Sequence, residues 1–285
     1  MAQKNNVYGL IGKQLVYSMS SLMFNLYFNQ KFPDNTYREF PLEEQELAVF
    51  LQEARQSLIK GLNVTIPYKE IIISFLDELD TYAEIISAVN VIRIHKGKLK
   101  GFNTDVLGFS RMLKEAIVFK PEKAVVLGAG GAAKGVIYSL FKLGVIEIDF
   151  FSRSRERIEL ITKKFGSLGR IKGHKWRTED MESLIKNSDL VINATPVGMF
   201  PHIKDSPTEI KYKAKPAALA VDLIYNPLET KFLKNAGKKG YRTLNGLDML
   251  IYQGMEALKI WMEIPLDEDE FIKESKQAIQ KVLSL

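Results

Sequence analysis

The chain reads as an α/β protein of two domains, and three observations predict it. Short apolar runs alternate with amphipathic helical stretches from end to end, the pattern of strand-helix units with a largely parallel sheet. One run, Val125 to Leu127, stops at a glycine turn that opens a helix. The length of 285 residues with 46% hydrophobic content supports a large core and suits two domains better than one.

In the first half, Val7 to Ile11 is a short apolar strand, and a helical stretch after the Ser18 to Ser21 turn carries Leu22, Met23, Leu26 and Tyr27 on one face. Tyr37 to Leu42 forms a second strand closed by Pro41. Glu43 to Leu58 is a helix by the spacing of Leu47, Phe50, Leu51, Ala54 and Leu58, with Gly61 as its stop. Leu62 to Ile66 is a third strand ended by Pro67, and Val89 to Ile94 with Lys98 to Phe102 form a hairpin around Gly97. Thr104 to Val118 is a helix that buries Val106, Leu107, Phe109, Met112, Leu113 and Ile117, and Pro121 after it marks the approach to the next domain.

The glycine stretch from Glu122 to Gly135 organises the second half. Gly128, Gly130 and Ala133 make a G-x-G-x-x-A pattern: the first glycine allows a tight turn, the second removes a Cβ from the path of a pyrophosphate, and the alanine lets the helix pack close to its strand. The phosphates would sit on the free N–H groups of a helix from about Gly131 to Leu143. Glu147 to Phe151 is the next strand. An acidic residue at its end would select NAD, but Ser152, Arg153, Ser154, Arg155, Glu156 and Arg157 follow instead, and guanidinium groups with hydroxyls suit a 2'-phosphate. NADP is therefore the expected cofactor.

Further on, helices are expected over Glu156 to Phe165, Glu179 to Asn187, Thr230 to Ala236 (stopped by Gly237 and Gly240), Asp248 to Trp261 and Asp267 to Leu283. Strands are expected over Leu190 to Ala194, Leu219 to Leu223 and Tyr241 to Leu244, with a turn at Asn226 and Pro227. The basic run Lys163 to Arg177, which contains Trp176, reads as a solvated surface segment.

Composition narrows the function. Forty basic against 34 acidic residues give +6, which favours anionic small molecules and falls short of a nucleic-acid footprint. No cysteine is present, so disulfide frameworks, thiol nucleophiles and cysteine-based zinc sites are excluded. His95, His174 and His202 are scattered as surface histidines, and no metal constellation emerges. The start of the chain lacks a signal-peptide core and no run approaches membrane-spanning length, so a cytoplasmic protein without membrane partners is expected, as a monomer or homodimer.

Ligands of open α/β sheets collect at the carboxyl ends of strands. Thr65 and Lys69 follow one such end, Asn90 and Asp105 flank the hairpin, and Asn193, Thr195 and Pro196 follow a strand of the second half, an arrangement that suggests a cleft between two domains. Reduction of a carbonyl by hydride needs a proton donor for the alkoxide, and Lys69, held by Asp105, is the candidate.

Seven segments sharpen this. Ser18-Met-Ser20, Asn63-Val-Thr-Ile-Pro-Tyr-Lys69, Ala88-Val-Asn90, Asn103-Thr-Asp105, Gly128-Ala-Gly-Gly-Ala132, Asn193-Ala-Thr-Pro and Gly246-Leu-Asp-Met-Leu-Ile-Tyr-Gln253 resemble, in order and spacing, the motif set of the shikimate dehydrogenases. The resemblance implies an N-terminal α/β substrate-binding domain of residues 1–105, completed by C-terminal helices 247–285, and a Rossmann-type NADP-binding domain of residues 106–246. It implies NADPH-dependent reduction of 3-dehydroshikimate to shikimate, a step of aromatic amino acid biosynthesis. Lys69 would be the acid/base with Asp105 as its partner, both contacting the substrate. Ser18 and Ser20 would bind the substrate carboxylate, with Tyr225 near it, and Thr65, Asn90 and Gln253 would bond the ring substituents. Gly128, Ala129, Gly130, Gly131 and Ala132 would cradle the pyrophosphate; Ser152, Arg153, Ser154 and Arg157 would meet the adenosine phosphate; Thr195, Val197, Leu223, Gly246 and Met249 would line the path to the nicotinamide.

The chain departs from the family pattern at Tyr17, Ser21 and Phe24, where histidine, proline and histidine are common, and substrate affinity or identity is the property this touches. A quinate/shikimate dehydrogenase with relaxed cofactor use and a catalytically silent dinucleotide-sensing module are the alternatives. Serines 18 and 20 have a plainer use as caps of the helix that follows.

Overall fold

A computed structural model describes residues 6–16, 18–176 and 178–284. Tyr17, Arg177 and the first five residues, all of which entered the sequence argument, lie outside the described residues. The chain divides into two compact units, one of residues 1–107 with 251–285 and one of residues 108–250.

In the first unit the elements run β1 (Val7–Gly12), α1 (Ser20–Lys31), β2 (Thr36–Pro41), α2 (Leu47–Ala54), β3 (Ile59–Val64), β4 (Glu78–Leu79), α3 (Thr81–Ile86), β5 (Val91–His95) and β6 (Lys98–Phe102). The helix α4 (Asp105–Ala116) carries the chain out. The second unit contains β7 (Lys123–Leu127), α5 (Gly131–Lys142), β8 (Glu147–Ser152), α6 (Arg155–Phe165), β9 (Arg170–Lys175), α7 (Thr178–Lys186), β10 (Leu190–Asn193), β11 (Leu219–Asp222), α8 (Lys231–Lys238) and β12 (Arg242–Leu244). The helix α9 (Leu247–Met262) returns the chain to the first unit, which α10 (Glu268–Leu283) completes.

The first sheet has the order β2-β1-β3-β5-β6-β4. Strands β1, β2 and β3 are parallel, while β5 runs antiparallel to both β3 and β6. One face packs on Leu47, Leu51, Tyr68 and Ile72 with Ile11, Leu62, Val64 and Ile92 of the strands. On the other, the rings of Tyr8, Phe24, Phe28, Tyr37 and Trp261 pack together, with centroids from 4.5 to 6.4 Å apart. Gly61 makes this possible, because a Cβ there would lie 2.3 Å from the Trp261 indole, whose Nε1 donates to Ile92 O at 3.0 Å.

The second sheet is parallel throughout, with the order β12-β11-β10-β7-β8-β9. That is the doubly wound 3-2-1-4-5-6 arrangement, whose strand order reverses between β7 and β10. Its strands are near-continuous apolar runs, as burial on both faces requires. Val125, Leu127, Phe151, Met181, Val191 and Phe232 share one core. Among the described residues no helix is long and apolar enough to cross a membrane.

Several local expectations are corrected. The helix expected over Glu43 to Leu58 is a 3-10 turn at Glu44–Glu46 followed by α2, which ends at Ala54. The Ser57 hydroxyl ends it, donating to Ala54 O and accepting from Ile59 N, so that Leu58 is exposed and Gly61 lies inside β3 rather than at a helix stop. The buried face of α1 is Met23, Phe24, Tyr27 and Phe28 rather than one that includes Leu22 and Leu26. The helix expected to run to Val118 ends at Ala116, and Leu107 within it and Ile117 beyond it are only half-buried. Gly237 is within α8, and Gly240, at φ 88°, is the residue that turns the chain.

The basic run Lys163 to Arg177 is not simply a solvated segment. Its residues Arg170–Lys175 form β9, an edge strand whose charges suit an edge. Nor is His174 a surface residue: its ring stacks on Phe151 and its Nε2 lies 2.5 Å from Asp149 Oδ1.

Candidate active site

Strand direction gathers the substrate-side residues of the first unit. Ser18 and Ser20 follow the carboxyl end of β1, and Thr65 to Lys69 follow that of the parallel β3. Because β5 is antiparallel to β3, Asn90, just before β5 begins, lies at the same edge. Strand β6 is antiparallel to β5, so its carboxyl end delivers Asn103, Thr104 and Asp105 there as well.

Lys69 Nζ donates to Asp105 Oδ2 at 2.7 Å, with side-chain exposures of 19% and 6%: the lysine is partly exposed and the aspartate is buried. Asn90 Nδ2 lies 2.9 Å from Asp105 Oδ1, 2.9 Å from Thr104 Oγ1 and 3.1 Å from Gln253 Oε1. An amide has two hydrogens, so three acceptors must share them. The amide's orientation is fixed from its other side, where Thr104 N donates to Asn90 Oδ1 at 2.7 Å. Beneath, the Tyr37 hydroxyl donates to Asn63 Oδ1 at 2.7 Å. Asn63 and Thr104 are members of the site's framework that sequence reasoning left without a role; a polar residue inside an apolar strand was the signal at Asn63.

Gln253 arrives on α9 because Gly254 lets that helix press on α1, where a Cβ would lie 2.4 Å from Met23 Cε. The hydroxyl of Ser18 accepts from Ser20 N at 3.2 Å, a local turn that opens α1 and leaves its O–H available to donate. Ser20 is buried and Thr65 half-buried. Of the departures from the family pattern, Phe24 is part of the aromatic cluster and the Ser21 hydroxyl donates to Glu39 at 2.7 Å.

The second unit presents its own edge. Gly128 follows β7 at φ 124°, a conformation that side chains rarely adopt, and a Cβ there would also lie 3.0 Å from Ala194 O. At Gly130 the nearest atom to an added Cβ is Arg157 Nη1 at 4.0 Å, so the second glycine faces open space. Gly131 begins α5 and Ala133 is fully buried against its surroundings. This cradle, with uncapped helix N–H groups at its floor, fits a dinucleotide pyrophosphate.

Arg157 Nη1 donates to Ala129 O at 2.9 Å, which folds the guanidinium over the glycine turn. Ser154 caps α6, accepting from Arg157 N, and its hydroxyl donates to Glu156 at 2.6 Å, a bond that holds the Glu156 carboxyl below its usual range. Ser152 is buried, with Oγ accepting from Ser154 N, and Arg153 is exposed. These residues stand at the end of β8, beside the turn: Gly128 N donates to Phe151 O.

Across the strand reversal, Thr195 and Val197 follow β10, and Leu223 and Tyr225 follow β11. Gly246 N donates to Ile224 O, and a Cβ on Gly246 would lie 2.0 Å from Leu223 O, which brings the start of α9 and Met249 to the same edge. Under these loops lies Asp222, wholly buried, which no sequence argument singled out.

A doubly wound sheet with a glycine cradle and a basic loop after its second strand, in one chain with a lysine-aspartate pair on a separate sheet, defines a dinucleotide-dependent oxidoreductase in class. The comparisons with known proteins are specific. The model of the shikimate dehydrogenase substrate binding domain matches residues 10–92, and that of shikimate / quinate 5-dehydrogenase matches residues 111–231. A shikimate dehydrogenase (NADP(+)) of Syntrophomonas wolfei is 40% identical over 270 residues, 93% of this chain and 92% of that protein. A crystal structure of a shikimate dehydrogenase in complex with NADP+ superimposes with a TM-score of 0.85 at 37% identity, covering 98% of this chain and 96% of that one. The enzyme of Thermus thermophilus in complex with NADP(H) and shikimate does so at 0.81 and 30% identity, covering 96% and 99%. The chain belongs to the shikimate dehydrogenase family.

Proposed function

We propose that the protein is an NADP-dependent shikimate dehydrogenase, which reversibly reduces 3-dehydroshikimate to shikimate in the pathway to the aromatic amino acids. The observation that carries the reading is the Lys69–Asp105 pair, held by Asn90 at the carboxyl edge of the first sheet in a chain of this family.

Bound NADPH supplies the hydride. The chain's own residues do the rest. As negative charge develops on the C3 oxygen, Lys69 Nζ donates a proton to it, and the lysine, whose side chain is partly exposed, is reprotonated from solvent. Asp105 accepts one of the three Nζ hydrogens and so aims the others, and Asn90 fixes Asp105 by its second oxygen. Ser18 and Ser20 bind the substrate carboxylate; Thr65, Asn90 and Gln253 bond its ring substituents. On the other unit the Gly128–Ala132 turn holds the pyrophosphate, Arg153 and Arg157 with Ser152 and Ser154 meet the 2'-phosphate, and Thr195, Val197, Leu223, Gly246 and Met249 line the nicotinamide end, with Tyr225 near the substrate carboxylate.

The test is the initial rate at the NADPH absorbance band with shikimate and with quinate, each with NADP and with NAD. Turnover confined to shikimate and NADP is the expected result. Quinate turnover of similar efficiency would make this a dual-substrate enzyme, and NADPH binding with no turnover would leave a binding module.

A further inference from the structure

The Asp222 carboxylate ends β11 at the edge that carries the cofactor loops, and it is wholly buried. Three donors from three segments converge on it. Asn193 Nδ2, at the end of β10, reaches Oδ1 at 3.0 Å; Ile224 N, in the loop after β11, reaches the same oxygen at 3.1 Å; Thr230 Oγ1, the cap of α8, reaches Oδ2 at 2.7 Å. Two of the three, Asn193 Nδ2 and the Ile224 N–H, can only donate, and both meet Oδ1, which must therefore be an acceptor.

The bond to Asn193 has a consequence for its neighbour. With Nδ2 on Asp222, the amide must turn Oδ1 toward Thr195, whose N and Oγ1 both donate to it, at 3.0 and 2.7 Å. Thr195 Oγ1 in turn accepts from Val197 N at 3.2 Å. Asn193 Nδ2 also reaches Val197 O at 3.3 Å; reversed, the amide would press its own N–H against the Thr195 N–H and lose the bond to Val197 O as well. The same loop backs the glycine turn, because Ala194 O is the atom that a Cβ on Gly128 would strike.

We propose that Asp222 is a positioning residue for the dinucleotide half of the site: its carboxylate sets the orientation of the Asn193 amide, and through that amide it holds the 194–197 loop in the shape that receives the cofactor. The inference rests on the reading of residues 108–250 as the NADP-binding unit. Asp222 touches neither substrate nor cofactor in this role.

The surroundings of the carboxylate are uncharged. Asn193 faces it from β10, Thr230 from the α8 cap and the Ile224 N–H from its own loop, and among the described residues no ion pair reaches it. Of the charged residues on the packed elements, Lys231 of α8 donates to Lys204 O and Arg242 of β12 to Ala116 O, and no charge is among the causes that shift the Asp222 carboxyl. Burial, opposed by the three hydrogen bonds, pushes the carboxyl up to about 6. The charge is therefore retained at a cost, which fits a group kept for what it orients.

The experiment is fluorescence titration of NADPH on wild type, D222A, D222N, N193A and the D222A/N193A double variant at about pH 8. D222A removes the oxygen that Asn193 Nδ2 meets and frees the amide to turn, so this variant should raise the NADPH Kd about tenfold, as loss of a charge-assisted hydrogen bond does. D222N should stay within about twofold of wild type, because its Oδ1 can still accept from Asn193 and Ile224 while its Nδ2 donates to the Thr230 hydroxyl. N193A alone should weaken NADPH about tenfold, and D222A added to it should cost less than twofold more, since the two act through one amide. KM for shikimate should stay within twofold throughout.

A Kd ratio of one for D222A, or additive losses in the double variant, would overturn the proposal. Should D222A fail to fold, N193A carries the test: unchanged NADPH affinity in that variant is equally fatal. Absence of turnover on shikimate with intact wild-type NADPH binding would sink the substrate reading and leave this one standing, whereas failure of the wild type to bind NADPH would remove both.

Discussion

Two buried aspartates divide the labour of this molecule. Asp105 on the first unit and Asp222 on the second both lie at the carboxyl edge of a sheet and both accept from a neighbouring asparagine. They differ in one partner: Asp105 holds an ammonium at 2.7 Å and, among the described residues, Asp222 holds no cation. A carboxylate with a partly exposed lysine on it can pass an effect to a reacting oxygen. One surrounded by hydroxyl, amide and backbone N–H can only fix the shape of what surrounds it. The chemistry of the first unit and the architecture of the second follow from that difference.

The largest test of the comparison is K69A. Removal of the proposed proton donor should lower kcat by about 10²- to 10⁴-fold, with the NADPH Kd within twofold of wild type. A kcat within tenfold of wild type would assign the proton to another group and leave the Lys69–Asp105 pair an ordinary ion pair.

Next in size is the stability contributed by Asp222 as a function of pH. Its carboxyl sits near 6 in the folded protein against an ordinary 3.8, so between these values the folded state binds more protons than the unfolded one. Stability therefore falls as pH rises from about 4 to 6 and is level above, by about 3 kcal/mol in all, roughly half of it lost above pH 5. D222N cannot titrate. Denaturant unfolding of the two proteins should show most of that difference moving in favour of D222N between about pH 4 and pH 8. A pH-independent difference would mean that Asp222 is not the buried, cation-free group described here.

A third test confines damage to the first unit. In G61A the new methyl would strike the Trp261 indole, and the indole must move. The cost should be about 1–3 kcal/mol in unfolding free energy, as for other overpacked cores. Because Trp261 and Gln253 share α9, KM for shikimate should rise while the NADPH Kd stays put. An equal rise in both would show that α9 answers for the two halves together.

What could be read from the sequence depended on whether its cause was local. The turn at Gly128 to Ala133 was legible because small residues at fixed spacing are themselves the physical requirement. The end of α2 was not: Leu58 keeps the helical spacing, and only the bonds of the Ser57 hydroxyl and the pairing of Ile59 with Val7 show that the chain has already become strand. The edge strand β9 was hidden by its own charges. Lys69 and Asp105, 36 residues apart, could be nominated together from residue type and strand ends, but family resemblance had to support the pairing, since nothing in the intervening residues says that β3 and β6 end at one edge. Asn193 was read at its strand end, but its bond to Asp222 was hidden for the same reason, although an aspartate closing the run Leu219-Ala-Val was a visible anomaly.

The smallest expected effect is also the most discriminating. Arg157 lies over the glycine turn, bonded to Ala129 O, and follows β8 where a 2'-phosphate would be read. It has two possible uses, a prop for the turn or a ligand for the phosphate, and the two predict different ratios. As a phosphate ligand, R157A should raise KM for NADP about tenfold, the worth of one exposed charge-assisted contact, and change KM for NAD by less than twofold. As a prop it should raise both alike, because the pyrophosphate cradle is common to the two cofactors. Arg153, exposed and without a bond to the turn among the described residues, supplies the control: R153A can alter only the phosphate term. If R153A shifts the NADP to NAD ratio and R157A does not, discrimination belongs to the outer arginine, and Arg157 joins Asp222 among the residues that hold the second unit in shape.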